Sequence, residues 1–197
     1  MKFSKQSDIE IWTKFKSGDN DALSFIYTEN SPKLFLYGSK LTNNHSIVED
    51  SIQELFSDLI RNRKNLGSTD NIQFYLIKSF KRRLLREIQY GKRSNLAGEN
   101  VELAFEITYS IEHTIILDEI SNQKIHYLKE ALNQLTPRQK EAIYLRFTEG
   151  LEYEQIAEIM DMGIEGSRNL IYRAIKSLKD ALQGKSTMLL FFLRNLF

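Results

Sequence analysis

The sequence predicts an all-α chain: two helical modules joined by an acidic linker, the second a four-helix module ending in a helix-turn-helix. Three observations predict it. Only two prolines and nine glycines interrupt 197 residues rich in Leu, Ile, Lys and Glu. Apolar residues recur every three or four positions along most segments, which is the helical period. Between Ser94 and Gln123 the composition shifts: Lys and Arg are absent, and six acids appear, Glu99, Glu102, Glu106, Glu112, Asp118 and Glu119.

In the first module, Asp8 reads as the cap of a helix carrying Ile9, Trp12 and Phe15 and ending near Gly18. Asp19 starts the next, with Ala22, Leu23 and Ile26 inward. Ser31-Pro32 reads as a cap with proline at the first position of a third helix, which runs to Leu41 and stops at Asn43-Asn44. Ser46-Ile-Val-Glu49 is a capping box. It opens a helix with Val48, Ile52, Leu55, Phe56 and Leu59 on one face and Asp50, Gln53, Glu54, Ser57 and Asp58 on the other. The loop Asn65–Asp70 follows, and Asp70 with Gln73 forms a further box. The helix after it, about 71–90, buries Leu76, Ile77, Phe80, Leu84 and Ile88.

The other side of that helix holds Lys78, Lys81, Arg82, Arg83 and Arg86 and continues into Lys92 and Arg93. These seven bases face a single acid, Glu87, so the local charge is +6. Lys78, Arg82 and Arg86 lie four apart, on one line along the helix. With Tyr75 and Tyr90 beside them, they suit a surface that tracks phosphates and stacks bases. A merely solvated charged face is the competing reading.

In the second module, a helix from about Asn122 to Leu135 turns Ile125, Leu128, Ala131, Leu132 and Leu135 inward. Thr136-Pro137-Arg-Gln139 is another capping box, opening a helix with Ala142, Ile143 and Phe147 that ends at Gly150. Ile156, Ala157 and Met160 then make one face of a short helix, and Asp161-Met162-Gly163 is a turn in which Gly163 is free to take positive φ. Ile171, Ala174, Leu178 and Leu182 face that short helix from a second one. Its opposite side presents Glu165, Arg168, Asn169, Tyr172, Arg173 and Lys176. Arg can bond guanine bidentately, Asn can bond adenine and Lys can neutralise phosphate, so this face suits a major groove. The alternative is a helical hairpin with a solvated polar face. Gly163 and Gly166, with no strong cap, cost this helix about 1–2 kcal/mol at its start. Gly184 terminates it, and the last residues, Met188 to Phe197, are almost wholly apolar. That tail is too short to span a bilayer, so it is expected to pack on the second module or on a partner protein.

Composition bounds the function. Net charge is only +1, so affinity for nucleic acid must come from local patches. There is no Cys, which excludes disulfides and thiolate chemistry. His45, His113 and His126 share no ligand spacing, so no metal is expected. With no nucleophile–base pair and no phosphate loop, the chain reads as a non-enzyme without catalytic residues, cofactor or small-molecule substrate. The N-terminus lacks the apolar core of a signal peptide, and no run reaches a membrane span, so a cytoplasmic protein that is not an integral membrane protein is the default.

Several motifs now resemble one family. Gly18-Asp19-x-x-Ala22 and Glu49-Asp50-Ser-Ile-Gln53-Glu54-Leu-Phe56 look like the GD-x-x-A and E-D-x-x-Q-E-x-F signatures of bacterial sigma factors of the extracytoplasmic-function (ECF) type. Leu135-Thr-Pro-Arg-Gln-Lys-Glu-Ala, Tyr153-Glu-Gln-Ile-Ala-Glu-Ile and Tyr172-Arg-Ala are similar to that family's second-module motifs. The expected domains are 1–93, 94–121 (linker) and 122–184, with the tail 185–197 outside the family's common pattern. The resemblance implies that Asp50, Gln53, Glu54 and Phe56 dock core RNA polymerase. Asn71, Tyr75, Lys78, Arg82 and Arg86 would capture and melt the −10 promoter element. Glu165, Arg168, Asn169, Tyr172, Arg173 and Lys176 would read the −35 element, and the linker would thread the polymerase cleft. The implied partners are core RNA polymerase, promoter DNA and an anti-sigma factor. A stand-alone helix-turn-helix regulator that needs no polymerase is the alternative.

Overall fold

The computed structural model describes residues 3, 6–93, 105–106, 127 and 129–182. The apolar tail, Gly184, the rest of the linker and the inward pair Ile125 and Leu128 lie outside the described residues. Every regular element among the described residues is helical. The chain divides into two compact units, Met1–Glu102 and Leu103–Phe197.

The first unit has four helices: α1 (Asp8–Ser17), α2 (Asn20–Leu41), α3 (His45–Asn62) and α4 (Ile72–Arg93). A 3₁₀ turn, Arg63–Asn65, follows α3. Its core is the sum of the expected apolar faces. Ile11, Trp12 and Phe15 meet Ala22, Ile26, Leu34 and Tyr37, with Val48, Ile52, Leu55 and Leu59 of α3 and Leu76, Ile77, Phe80 and Leu84 of α4. Ile88 and Leu23 are only half-buried.

α2 is one helix where the sequence suggests two. Pro32 lies inside it. An interior proline removes a hydrogen bond and costs about 3 kcal/mol. The buried stripe nevertheless runs through it without a change of register, from Ala22 and Ile26 through Asn30 to Leu34, Tyr37 and Leu41. Breaking the helix at Ser31 would turn half of that stripe to water, so packing overrides the local cap signal.

Gly38 sits where α2, α3 and α4 cross. A Cβ there would meet Phe80 Cζ and Val48 Cγ1 at 2.8 Å each. Both neighbours are fully buried, so neither can swing away. Gly38→Ala is therefore expected to destabilise the first unit by about 1–3 kcal/mol, read as a lower melting temperature.

The caps differ in detail from the expected ones. Ser7, not Asp8, caps α1, and its backbone N–H donates to Glu10 Oε2 at 2.8 Å in a capping box. That bond holds the Glu10 carboxyl below its ordinary range. Asn44, not Ser46, caps α3 by accepting from the Ile47 N–H. Asn71, not Asp70, caps α4 by accepting from the Phe74 N–H at 2.8 Å.

In the second unit, residues 129–133 are helical and bury Ala131 and Leu132, with Leu135 just beyond. The Thr136/Gln139 capping box opens α5 (Pro137–Ile143) as expected. One π turn, Tyr144–Thr148, then widens the helix before Gly150 turns the chain with φ 68°. Two helices complete the unit: α6 (Tyr153–Ile159) and α7 (Ile164–Ala181). Ile156, Ala157, Met160, Ile171, Ala174, Leu178 and Leu182 are all buried. The left-handed residue between α6 and α7 is Asp161, φ 49°, while Gly163 has φ −74°. Asp tolerates that conformation, so the glycine is not needed for it.

Phe105 belongs to this unit although its sequence lies in the acidic stretch. It is 2% exposed, with its ring 5.6 Å from that of Tyr144. Burial pushes the Tyr144 phenol far above its ordinary pKa, and Glu149 adds to the shift.

Candidate nucleic-acid interface

The first unit offers two surfaces. On α3, the stripe opposite the core exposes Asp50, Gln53 and Glu54. Phe56 does not join them. It is 4% exposed, and its ring meets Tyr27 edge-on at 4.8 Å. This corrects its expected place in a docking face: Phe56 lies one position past Leu55, on the core side of the helix, and can act on a partner only by holding α3 in place. Asp58 also departs from the free outward row, since it is ion-paired with Arg83 of α4. Glu54 lies 4.0 Å from the same guanidinium.

The second surface is a cavity of about 230 Å³ between α3 and α4. Its polar lining is Tyr75, Ser79, Arg82 and Arg86 of α4, Asn62 of α3 and the Asp58–Arg83 pair, with Leu66 of the loop beside them. Three expected site residues, Tyr75, Arg82 and Arg86, are thus brought together around one concavity. Arg82 and Arg86 are exposed, while Arg83 is spent on Asp58. Tyr75 is half-buried with its ring 5.0 Å from Trp12, and burial raises its phenol pKa, so it stays neutral. Lys78 lies apart, its ammonium 5.6 Å over the Phe74 ring. Asn71 is the cap of α4, so its carbonyl oxygen is engaged with the helix.

In the second unit, α7 presents Glu165, Arg168, Asn169, Tyr172, Arg173 and Lys176 together on one exposed face. Tyr172 is 67% exposed, more than any other large apolar side chain described. The helix starts without a side-chain cap at Gly163. Ser167 fixes the first turn in another way: its fully buried hydroxyl, a donor, lies 3.0 Å from the Tyr153 carbonyl and 2.8 Å from that of Ile164. This tie joins the first turns of α6 and α7, and only the fold reveals it.

Arg168 is held from three sides. Its Nη1 is 2.8 Å from Glu165 Oε1, its Nη2 is 3.4 Å from Glu154 Oε1, and its guanidinium is 5.7 Å over Tyr153. Arg146 lies over Tyr153 as well, at 4.8 Å, and donates to the Leu151 carbonyl at 2.7 Å. Exposed ion pairs of this kind are worth about 0.2–1 kcal/mol, so they orient Arg168 without trapping it.

Gly166 is exposed in the first turn of α7, and a Cβ there would meet only Met162 Cβ at 3.8 Å. Gly166→Ala is expected to stabilise the second unit by about 0.5–1 kcal/mol, checked by thermal melting.

Residues 125–178, which span α5, α6 and most of α7, match the family described as sigma-70, region 4. The chain is 25% identical over 173 residues to the ECF RNA polymerase sigma factor BldN of Streptomyces coelicolor, covering 86% of this chain and 64% of that one. It is 24% identical over 189 residues to the RNA polymerase sigma-H factor of Pseudomonas aeruginosa, covering 91% and 96%. Over most of its length the chain is thus similar to RNA polymerase sigma factors, one of them of the ECF type. It is 20% identical over 169 residues to RNA polymerase sigma factor CarQ of Myxococcus xanthus. The fold is like that of RpoE from Bartonella quintana, solved with the anti-sigma factor NepR, with TM-score 0.57, 21% identity and 81% of this chain covered. It is also like that of CnrH, solved with the cytosolic domain of CnrY, with TM-score 0.57 and 13% identity. The chain spans just under two thirds of the Streptomyces relative but nearly all of the other two.

Proposed function

We propose that this sigma factor directs core RNA polymerase to promoters by using the two units on two DNA elements, and that it catalyses nothing itself. The observation that carries the reading is the pairing of two chemically different surfaces. The first unit has a concave basic site with a neutral tyrosine, suited to an unstacked base between phosphates. The second has a convex helix face carrying Arg, Asn and Lys, suited to base edges in a major groove. A duplex-only regulator has no use for the first surface. Base unpairing and flipping cost a few kcal/mol per event, and binding at the cavity is what offsets that cost.

Asp50, Gln53 and Glu54 then dock core polymerase. Tyr75, Arg82 and Arg86 line the −10 site, with Lys78 on the phosphates beside it. Glu165, Arg168, Asn169, Tyr172, Arg173 and Lys176 form the −35 reader. An anti-sigma factor is a further partner that this family reading admits. No helix among the described residues is long and apolar enough to cross a membrane.

The test is gel filtration of the chain with purified core polymerase, followed by binding of the complex to a selected promoter. Co-elution and promoter-dependent retention are expected; a chain that binds the same DNA unaided and ignores polymerase would refute the reading. In that assay Arg82→Ala should weaken binding on all promoters alike. It should also lower the slope of log affinity against log salt by about one unit, because it removes one phosphate contact.

A further inference from the structure

The loop between α3 and α4 is fastened from α1 by two hydrogen bonds. Its end at Ile72 donates a backbone N–H to Asp8 Oδ2 at 2.7 Å, across 64 residues of sequence. Its middle, the Gly67 carbonyl, accepts from Trp12 Nε1–H at 2.8 Å. Asp8 and Trp12 are four apart, so one face of one helix makes both hydrogen bonds.

The outer side of the loop is different. Gly67, Ser68 and Asp70 are exposed, and space beside Gly67 is open. The loop is therefore pinned from within and free on the side that faces solvent. Two of its neighbours join it to the basic cavity: Leu66 is in the cavity lining, and Tyr75 both lines it and packs on the Trp12 ring. A shift of the Gly67 carbonyl would move Leu66 at the cavity wall.

We propose that α1 is a positioning element for the −10 site: Asp8 and Trp12 hold the loop 66–71 in the one arrangement that gives the cavity its base preference. This rests on the reading of the cavity as the −10 site. Neither residue touches DNA; both act through the loop. Trp12→Phe keeps the buried ring and its contact with Tyr75 but removes the donor. Asp8→Ala removes the acceptor, whereas Asp8→Asn keeps one, and Ser7 caps α1 in both variants.

The experiment uses holoenzyme made from the full chain and core polymerase, with a DNA pool randomised across the −10 element. Sequencing of bound DNA gives the enrichment of preferred bases, and titration gives core affinity. Trp12→Phe and Asp8→Ala should each reduce enrichment by about tenfold, the equivalent of one lost hydrogen bond, with core affinity within about twofold of the parent. Asp8→Asn should retain the parent's enrichment. Undiminished enrichment in both Trp12→Phe and Asp8→Ala overturns the proposal. So does a parallel fall in enrichment and core affinity, which would mean that the ties only hold the unit together. If Arg82→Ala lowers binding while the α1 variants match the parent, only this inference fails. If the parent itself enriches no −10 bases, the cavity assignment fails with it.

Discussion

Asp50→Lys with Glu54→Lys should abolish co-elution with core polymerase. Both carboxylates are exposed on α3, one turn apart, and the opposite face of the helix is filled by core. Replacing two acids by two bases reverses the charge of the proposed docking face, at several kcal/mol in total against a partner surface complementary to the acids, so affinity should fall by roughly a hundredfold or more. Glu54 needs care, because it lies 4.0 Å from Arg83. A lysine there would face that guanidinium, although Arg83 keeps its pair with Asp58. Asp50→Lys alone avoids this clash and should still weaken the complex strongly. Circular dichroism and the melting transition should remain those of the parent for the single variant. Undiminished core binding by the double variant would remove α3 from the docking assignment.

The second large effect is expected at Arg168. Bidentate recognition of a base is worth about 1–3 kcal/mol of discrimination. In the free chain Arg168 is shared between Glu165, Glu154 and the Tyr153 ring, all on the protein surface. Those exposed pairs return little when broken, so the guanidinium can turn to DNA at small cost. Arg168→Ala should therefore lose about 1–3 kcal/mol on the preferred −35 sequence and much less on a scrambled one. Fluorescence anisotropy of holoenzyme on both duplexes measures the difference. Equal losses on the two would mean that Arg168 contacts backbone only, and that the reading face lies elsewhere on α7.

The helical faces were legible because burial leaves a period in the sequence. Val48, Ile52, Leu55 and Leu59, or Ile171, Ala174 and Leu178, announce their side of a helix by spacing alone, and each is buried. The exposed row from Glu165 to Lys176 was legible for the same reason. What the sequence hides is any partner chosen across the fold. Asp8 looks like a local cap but bonds Ile72, sixty-four positions away. Ser167 looks like a helix-interior serine, yet it bonds the start of the preceding helix. Arg83 looks like its neighbours Arg82 and Arg86, and only the packing of α4 on α3 singles it out as paired. Pro32 shows the converse: a strong local signal loses to a continuous buried stripe.

The central claim is that this chain opens DNA only as part of polymerase. Permanganate reactivity of thymines on a promoter selected from random DNA tests it most directly. Core polymerase with the chain should expose reactive thymines at the −10 element, and Arg82→Ala with Arg86→Ala should suppress them while −35 protection persists. The chain alone and core alone should leave the duplex closed. Tight, sequence-specific binding by the chain alone, with no new reactive thymines when core polymerase is added, would contradict the account.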